Sequence, residues 1–388
     1  MREQNAGTAL SKALETISRE CVECGLCTKE CRFLQEYGNP KQIAAEFDLF
    51  KAKHQAMAFA CNLCRLCTAV CPKGLDPAAM FLEMRREAVH RGLGDHPEHK
   101  GVMGYERRGV SRRYTWYGLP EGCDTIFFPG CTLSGTRPQK TFAFYRYLQQ
   151  HIPTAGIVLD CCTKPSHDLG RQAYFETMFG EMKTFLLTNG VRKILVACPN
   201  CYKVFKQYAP DMTVTTAYEF MANDGIGTRP KTGETVTVHD PCVLRFDEAV
   251  QLAVRQLLVK QGLTVQEMRH NGKKTLCCGE GGSAGCLAPQ LSAHWGNLRK
   301  KEVNGNRTFT YCAGCANKLQ PLMLTGHLMD LMFEPEKAMK GKTRASKPPV
   351  TYLNRLWLKR RLKKTVDAFV SRERNFVYSD VGGKTSDI

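Results

Sequence analysis

Two cysteine runs of identical spacing dictate how the first part of this chain can fold: Cys21, Cys24, Cys27, Cys31 and Cys61, Cys64, Cys67, Cys71. Both read C-x2-C-x2-C-x3-C, with Pro72 after the second run and Arg32 in its place after the first. Three thiolates on closely spaced turns hold three corners of one iron–sulfur cube, and the thiolate beyond the longer gap reaches the neighbouring cube. The pattern predicts two [4Fe–4S] clusters, one on Cys21, Cys24, Cys27 and Cys71, the other on Cys61, Cys64, Cys67 and Cys31. Zinc is the alternative metal for Cys-x2-Cys pairs, but it takes separated pairs around one tetrahedral ion, which two four-member runs fit poorly.

Apolar positions Leu10, Leu14 and Ile17 predict a helix over residues 8–20 that delivers the first run. After the Gly38-Asn39-Pro40 break, residues 41–60 read as one helical connector, and residues 78–89 as a further helix. The glycine-punctuated, basic stretch 91–122 reads as a linker. Beyond it, short apolar runs alternate with helical stretches. Strands are expected near 126–128, 157–159 and 194–197, with helices at 139–148 and 171–187. The alternation then recurs, with strands at 236–238, 265–268 and 309–311 and helices at 247–260 and 290–302.

Ten more cysteines show that this recurrence is an internal repeat. Cys131, Cys161, Cys162, Cys198 and Cys201 are answered by Cys242, Cys277, Cys278, Cys312 and Cys315, displaced by 111, 116, 116, 114 and 114 residues. Adjacent thiolates on an extended backbone point in different directions, and five sulfurs exceed the four that zinc takes, so each set suits a multi-iron centre. The predicted order is therefore a ferredoxin domain (1–90), a linker (91–122), two α/β domains (123–225 and 226–335) and a basic helical tail (336–388).

The whole chain has 388 residues with 43% hydrophobic and 24% charged residues, ordinary values that exclude wholesale disorder. Twenty cysteines are too sparse for a disulfide scaffold. With no export signal and no apolar stretch long enough to span a bilayer, the expected location is the reducing cytoplasm, or peripherally on the inner face of the membrane. There, thiols serve metal coordination or redox chemistry.

The long helical stretch between the first two runs resembles the α-helical ferredoxin domain of the succinate dehydrogenase and heterodisulfide reductase families. Phe127-Phe-Pro-Gly-Cys131 with Cys161-Cys-Thr-Lys-Pro165, and His239-Asp-Pro-Cys242 with Cys277-Cys-Gly279, resemble the two cysteine-rich CCG domains of the heterodisulfide reductase family. The D-type subunit of that family and the iron–sulfur subunits of anaerobic glycerol-3-phosphate dehydrogenase and glycolate oxidase are its close relatives. The resemblance covers about residues 8 to 335. It implies that each repeat's five cysteines ligate one noncubane [4Fe–4S] cluster, at which a disulfide is reduced or two thiols are oxidised. Catalysis is then expected at Cys242, Cys277, Cys278, Cys312 and Cys315; His239, beside Cys242 in sequence, either relays protons there or is a strand-end hydrogen bonder. Thr163 stands where the motif has glycine, which leaves zinc or a different cluster as the alternative at the first site.

Several residues near the cysteines have two readings. His167 either relays protons or hydrogen-bonds locally. Lys164 and Arg245 either attract an anionic substrate or neutralise thiolate charge. Cys123 and Cys286 read as small hydrophobes rather than ligands. The loop Gly279–Gly285 has no Lys-Ser/Thr ending of a phosphate-binding loop and reads as a wrap around a cluster.

The formal charge of +18 is uneven, with fourteen Lys or Arg against five Asp or Glu from Glu336 onward. This basic tail reads as a separate electrostatic object. Leu358, Leu362, Val366 and Phe369 would fall on one helical face, with Arg360, Arg361 and Lys364 opposite, docked on the protein or a partner. A membrane-surface contact through Trp357 is the second reading, and nucleic acid is not expected. The chain carries no dinucleotide fingerprint, so a flavoprotein or other redox subunit is the expected partner. Two functions fit. One is an oxidoreductase acting on a disulfide or thiols; the other is a non-catalytic relay between a flavin dehydrogenase and a quinone or membrane partner.

Overall fold

We describe the protein from a computed structural model covering residues 3–224, 226–376 and 378. Residues 377 and 379–388 of the expected tail lie outside the described residues, as do residues 1, 2 and 225.

The N-terminal part is all helix. Glu3–Glu20 is followed by short helices at Leu26–Glu30, Arg32–Tyr37, Pro40–Glu46, Ala52–Ala60 and Leu66–Val70, then Pro77–His90. Leu10, Ile17, Phe33, Leu34, Ile43, Met57, Phe81 and Met84 form its core, and cysteines of both runs pack against them. Asn39 caps the helix that follows it, in a reciprocal pair with Gln42. The expected single helix over 41–60 is broken at 47–51. There Asp48 Oδ1 accepts from the Phe50 amide at 3.0 Å and His54 Nδ1 accepts from the Asp48 amide at 3.0 Å. These local bonds compete with the helical ladder.

Ten strands follow among the described residues: β1 (Trp116–Leu119), β2 (Thr125–Phe128), β3 (Gly156–Leu159), β4 (Lys193–Val196), β5 (Thr213–Thr216), β6 (Thr235–His239), β7 (Thr264–Val265), β8 (Arg307–Thr310), β9 (Thr325–His327) and β10 (Val370–Arg372). The first sheet has the order β10-β1-β3-β2-β4-β5 and the second β7-β6-β8-β9. The block β3-β2-β4-β5 is parallel, as is the whole second sheet, and the two have the same topology. The cysteine repeat is thus also a repeat of architecture. β5 and β9 were not expected, because Thr-Val-Thr-Thr and Thr-Gly-His lack an apolar run. The strand expected at 265–268 is only two residues long; beyond it Met268 turns inward, its sulfur 2.7 Å from Arg299 Nη2.

Two expectations about the flanks are corrected. The stretch 91–122, expected as a linker, forms the helix Lys100–Gly109 and β1, which pairs antiparallel with β3. The basic tail is not electrostatically separate. Its helix Val350–Thr365 buries Leu358 and Leu362, and Val366 is buried just past the helix end, all in the core shared by the two sheets. The tail's β10 then pairs with β1. Arg374 is fully buried on Asp160 at 3.1 Å, and Arg372 pairs with Glu181. Phe369 is 76% exposed, because the chain becomes extended at Val366 and the helical face ends there.

The repeats are joined by a buried Arg137–Asp330 ion pair at 2.7 Å and by the Tyr218 hydroxyl, 2.9 Å from the carbonyl oxygens of both Ala197 and Tyr311. The helical part is strapped on by Arg85. Fully buried, it donates to the carbonyls of Ala58 and Phe59 on one side and of Asp168 and Gly282 on the other, and also to Cys61.

Candidate metal centres

Each N-terminal run bends through two left-handed residues, Glu23 and Gly25 in the first and Leu63 and Arg65 in the second, at equivalent steps. That double reversal turns three thiols toward a common point. Arg65 adopts a conformation that favours glycine, and is fixed there by Asp76, at 2.8 Å from Nε and 2.7 Å from Nη2. Asp76 also accepts from Thr68 and caps the next helix at Ala79. Cys31 and Cys71 are extended, so the fourth thiol of each run leaves its own turn. Cys71 shares one cavity with Cys21, Cys24, Cys27 and also Cys67. Cys31 instead lies with Cys61 and Cys64: burial pushes its thiol up, and the charge of those two sulfurs adds to the effect.

In the second repeat, Cys242 follows β6, Cys277 and Cys278 lie in the loop before the glycine turn, and Cys312 and Cys315 open the helix after β8. Cys242 and Cys277 sulfurs are 3.9 Å apart, and the Gly279 amide donates to Cys277 Sγ at 3.2 Å. The Cys278 and Cys315 sulfurs and a His239 ring nitrogen all lie within 4.8 Å of one another. His239 is fully buried, and neither ring nitrogen has a hydrogen-bond partner among the described residues. A buried donor or acceptor without a partner costs about 1–3 kcal/mol. Five crowded sulfurs and an orphaned imidazole therefore fit a bound metal centre.

The first repeat gathers its cysteines the same way. Cys162 and Cys201 sulfurs are 3.4 Å apart, and Gly130 is obligatory beside them, since a Cβ there would meet Cys198 Cβ at 2.9 Å. Cys131 lies against Cys161, and its thiol is lowered to about 6 by that contact and by Arg355. The two sites differ in their walls. Thr163 holds the left-handed conformation that Gly279 holds in the second site, with φ 52° against 96°, and its buried hydroxyl has no partner among the described residues. Phe128, 111 residues before His239, is fully buried in the position of the imidazole.

The helical runs and the second repeat touch directly. Cys64 is held down to about 6 by its contact with Cys277, with Arg245 adding to the effect. Arg245 is 1% exposed and donates to the carbonyls of Cys64, Lys273 and Thr275, so it joins the two units and does not face substrate. The glycine loop packs on the second run: a Cβ on Gly281 would meet the Asn62 carbonyl at 2.6 Å, and one on Gly282 the Cys61 carbonyl at 2.8 Å. Asn62 in turn donates to the Gly279 and Gly281 carbonyls at 3.1 Å.

Other candidates have local roles. His167 sits 2.9 Å from both Asp168 and the Tyr208 hydroxyl, and Lys164 is paired with Asp168. Cys123 is buried in the sheet core and donates to the Thr125 carbonyl. Cys286 ends the glycine turn, where burial pushes its thiol up.

A cavity of about 880 Å³ opens between the repeats, lined by Tyr105, Thr132, Glu280, Asn317, Arg344 and Lys347 among others. Thr132 is the neighbour of Cys131. Glu280 projects over Gly314, where a Cβ would meet its carboxylate at 2.2 Å. Its carboxyl is pushed up to about 7 by enclosure, with Cys278 reinforcing and Lys318 opposing. Sequence reasoning passed over Glu280, although its place directly after Cys277-Cys-Gly279 was a signal. Tyr105 lay hidden in the supposed linker.

Residues 20–76 match the family described as a 4Fe-4S dicluster domain, and residues 236–320 match the family described as a cysteine-rich domain, CCG. The chain is 26% identical to the B-type subunit of fumarate reductase (CoM/CoB) from Methanothermobacter marburgensis, over 76% of this chain and 66% of that protein. It is 24% identical to the D-type subunit of dihydromethanophenazine:CoB–CoM heterodisulfide reductase from Methanosarcina barkeri, over 77% of this chain and 87% of that one. It is 25% identical to the EtfAB:quinone oxidoreductase of Syntrophomonas wolfei, over 64% of this chain and 39% of that protein. The chain thus spans just under two thirds of the first of these relatives and a smaller part of the last. It is a homologue of the D-type heterodisulfide reductase subunits, with a dicluster domain of the kind that holds two [4Fe–4S] clusters and, over residues 236–320, a cysteine-rich domain of the kind associated with noncubane clusters. Among the described residues no helix is long and apolar enough to cross a membrane.

Proposed function

We propose that this chain exchanges electrons with a partner redox subunit through its helical domain and acts on a disulfide–dithiol couple at its cysteine-rich repeats. In this reading Cys21, Cys24, Cys27 and Cys71 hold one cubane and Cys61, Cys64, Cys67 and Cys31 the other. Cys242, Cys277, Cys278, Cys312 and Cys315 hold the second-repeat centre; Cys131, Cys161, Cys162, Cys198 and Cys201 hold the first, with zinc as its alternative. The observation that carries the proposal is the contact of Cys64 with Cys277, which puts a helical-domain ligand against a cysteine-rich one. Bound clusters supply single electrons, and opening one disulfide to two thiols consumes two electrons and two protons.

The chain's own residues supply the rest. Glu280, facing the cavity beside the cysteine-rich sulfurs, is placed to hold a proton there. His239, buried against Cys278, is the second candidate carrier. Arg344 and Lys347 on the cavity wall favour anionic substrates. The buried Arg85 and Arg245 straps exclude water from the junction of the two units.

A second reading, a relay without chemistry of its own between a flavoprotein and a quinone-reducing partner, is favoured by the similarity to the EtfAB:quinone oxidoreductase. Peripheral membrane contact is supported by the exposed stripe of Val350, Leu353 and Trp357 beside basic residues on the tail helix. Anaerobic addition of small disulfides and thiols, followed by paramagnetic resonance, separates the readings. Disulfide chemistry requires a change in the cysteine-rich signals and release of two thiols per disulfide. A full complement of iron with unresponsive signals would favour the relay.

A further inference from the structure

The tail helix packs on the helix opened by Cys131 and brings one cation, Arg355, toward the first cysteine-rich site. It is 3% exposed, its guanidinium lies 4.9 Å from the centroid of the Tyr114 ring, and Nη2 donates to the Gly109 carbonyl at 3.3 Å. Nη1 has no acceptor, and among the described residues no carboxylate lies within ion-pair distance of it. Other tail cations do have such partners: Arg374 has Asp160, Arg372 has Glu181, and Lys359 and Lys363 share Glu373.

Gly109 explains what faces Arg355. A Cβ at Gly109 would sit 3.6 Å from Cys161 Sγ on one side and 3.9 Å from Arg355 Nη1 on the other. The free end of the guanidinium is therefore within 7.5 Å of the Cys161 sulfur, the sum of those two contacts. The stem passes the helix opened by Cys131, with Cδ 3.6 Å from the Cβ position of Gly135. A buried cation without a bonded counter-anion is strongly unfavourable, and the thiolates it faces, Cys131 foremost, together with the buried Glu106 carboxyl beside the same cysteines, are the negative charge near it among the described residues.

We propose that Arg355 is a positioning residue for the first cysteine-rich centre, whose reduction potential it raises by stabilising the more negative, reduced state. The basic tail is then part of that redox site. The inference rests on the reading that Cys131, Cys161, Cys162, Cys198 and Cys201 hold an iron–sulfur centre. It extends the site beyond the repeat that supplies the ligands.

The test is an anaerobic potential titration of the full chain followed by paramagnetic resonance, with iron and zinc measured on each preparation. Arg355→Gln should shift the first-site midpoint to a more negative value and leave the other three centres in place. Arg355→Lys, which keeps the charge, should hold the wild-type midpoint and remains informative if the glutamine variant does not fold. A first-site signal present at full iron with an unmoved midpoint in Arg355→Gln would overturn the role of Arg355 alone. So would an equal shift in Arg355→Lys, or a shift of all four centres together. Zinc in the first site would overturn the reading beneath it as well.

Discussion

The Arg85 strap offers the sharpest structural prediction. Its guanidinium is wholly buried and donates to five backbone carbonyls drawn from three segments: the end of helix Ala52–Ala60 with Cys61, the Asp168 turn, and the glycine loop at Gly282. Replacing it with methionine keeps most of the volume and removes every donor. Each acceptor left buried costs at least about 1 kcal/mol. Relief from burying a cation without a bonded carboxylate offsets part of this, leaving an expected loss of about 3–5 kcal/mol. The loss should concentrate at the junction, so the helical domain should separate before the sheets unfold. Anaerobic urea unfolding, with cluster absorbance and circular dichroism followed together, reads both quantities. In Arg85→Met the absorbance transition should move well ahead of the loss of secondary structure. A shift below about 1 kcal/mol, with the two signals still coincident, would refute the reasoning.

Further predictions follow from single residues. Thr163→Gly relieves a β-branched residue in left-handed backbone and should stabilise by up to about 1 kcal/mol. Gly279→Thr should prevent folding of the second site, because even a Cβ there meets the Ser292 carbonyl at 2.2 Å. Thermal unfolding of the pair, with iron content, checks both. The Glu106 carboxyl, buried and bonded to Ser166, is pushed up to about 7 by burial. The folded state then holds a proton that the unfolded state releases near pH 4.5, so stability is full below that value and falls as pH rises toward 7. Glu106→Gln should flatten this slope, worth roughly 2 kcal/mol over the part that unfolding measured from pH 5.5 to 8 reads. For the tail, Leu353→Asp together with Trp357→Asp should abolish sedimentation with phosphatidylserine vesicles while leaving iron content unchanged; equal sedimentation would remove the membrane contact from the account.

The metal chemistry was legible in the sequence because ligand spacing is local: three thiols of each run share one turn, and the longer gap marks the fourth as the one that crosses to the other run. The repeat was legible for a related reason: displacements of 111 to 116 residues tie each of ten thiols to a partner, and the block β3-β2-β4-β5 has the strand order of the second sheet. What connects the parts was not. Arg85, Asn62 and Arg245 act on carbonyls far away in sequence, and no local pattern marks an arginine that will meet such partners. β1 and β10 join one sheet edge from opposite ends of the chain, so a glycine-rich stretch and a basic tail passed for linker and appendage. The glycines at 281 and 282 were read as part of a wrap around a cluster; what the sequence did not show is that a Cβ at either would collide with the backbone of the second cysteine run.

Metal content of the anaerobically purified chain tests the account most directly. Four iron–sulfur centres predict about sixteen irons per chain, and about twelve with one zinc if the first cysteine-rich site takes that ion. Signals from the second cysteine-rich centre should couple magnetically to a cubane, given the Cys64–Cys277 contact. About eight irons with two zincs, and no resonance beyond the cubanes, would contradict redox chemistry at the repeats.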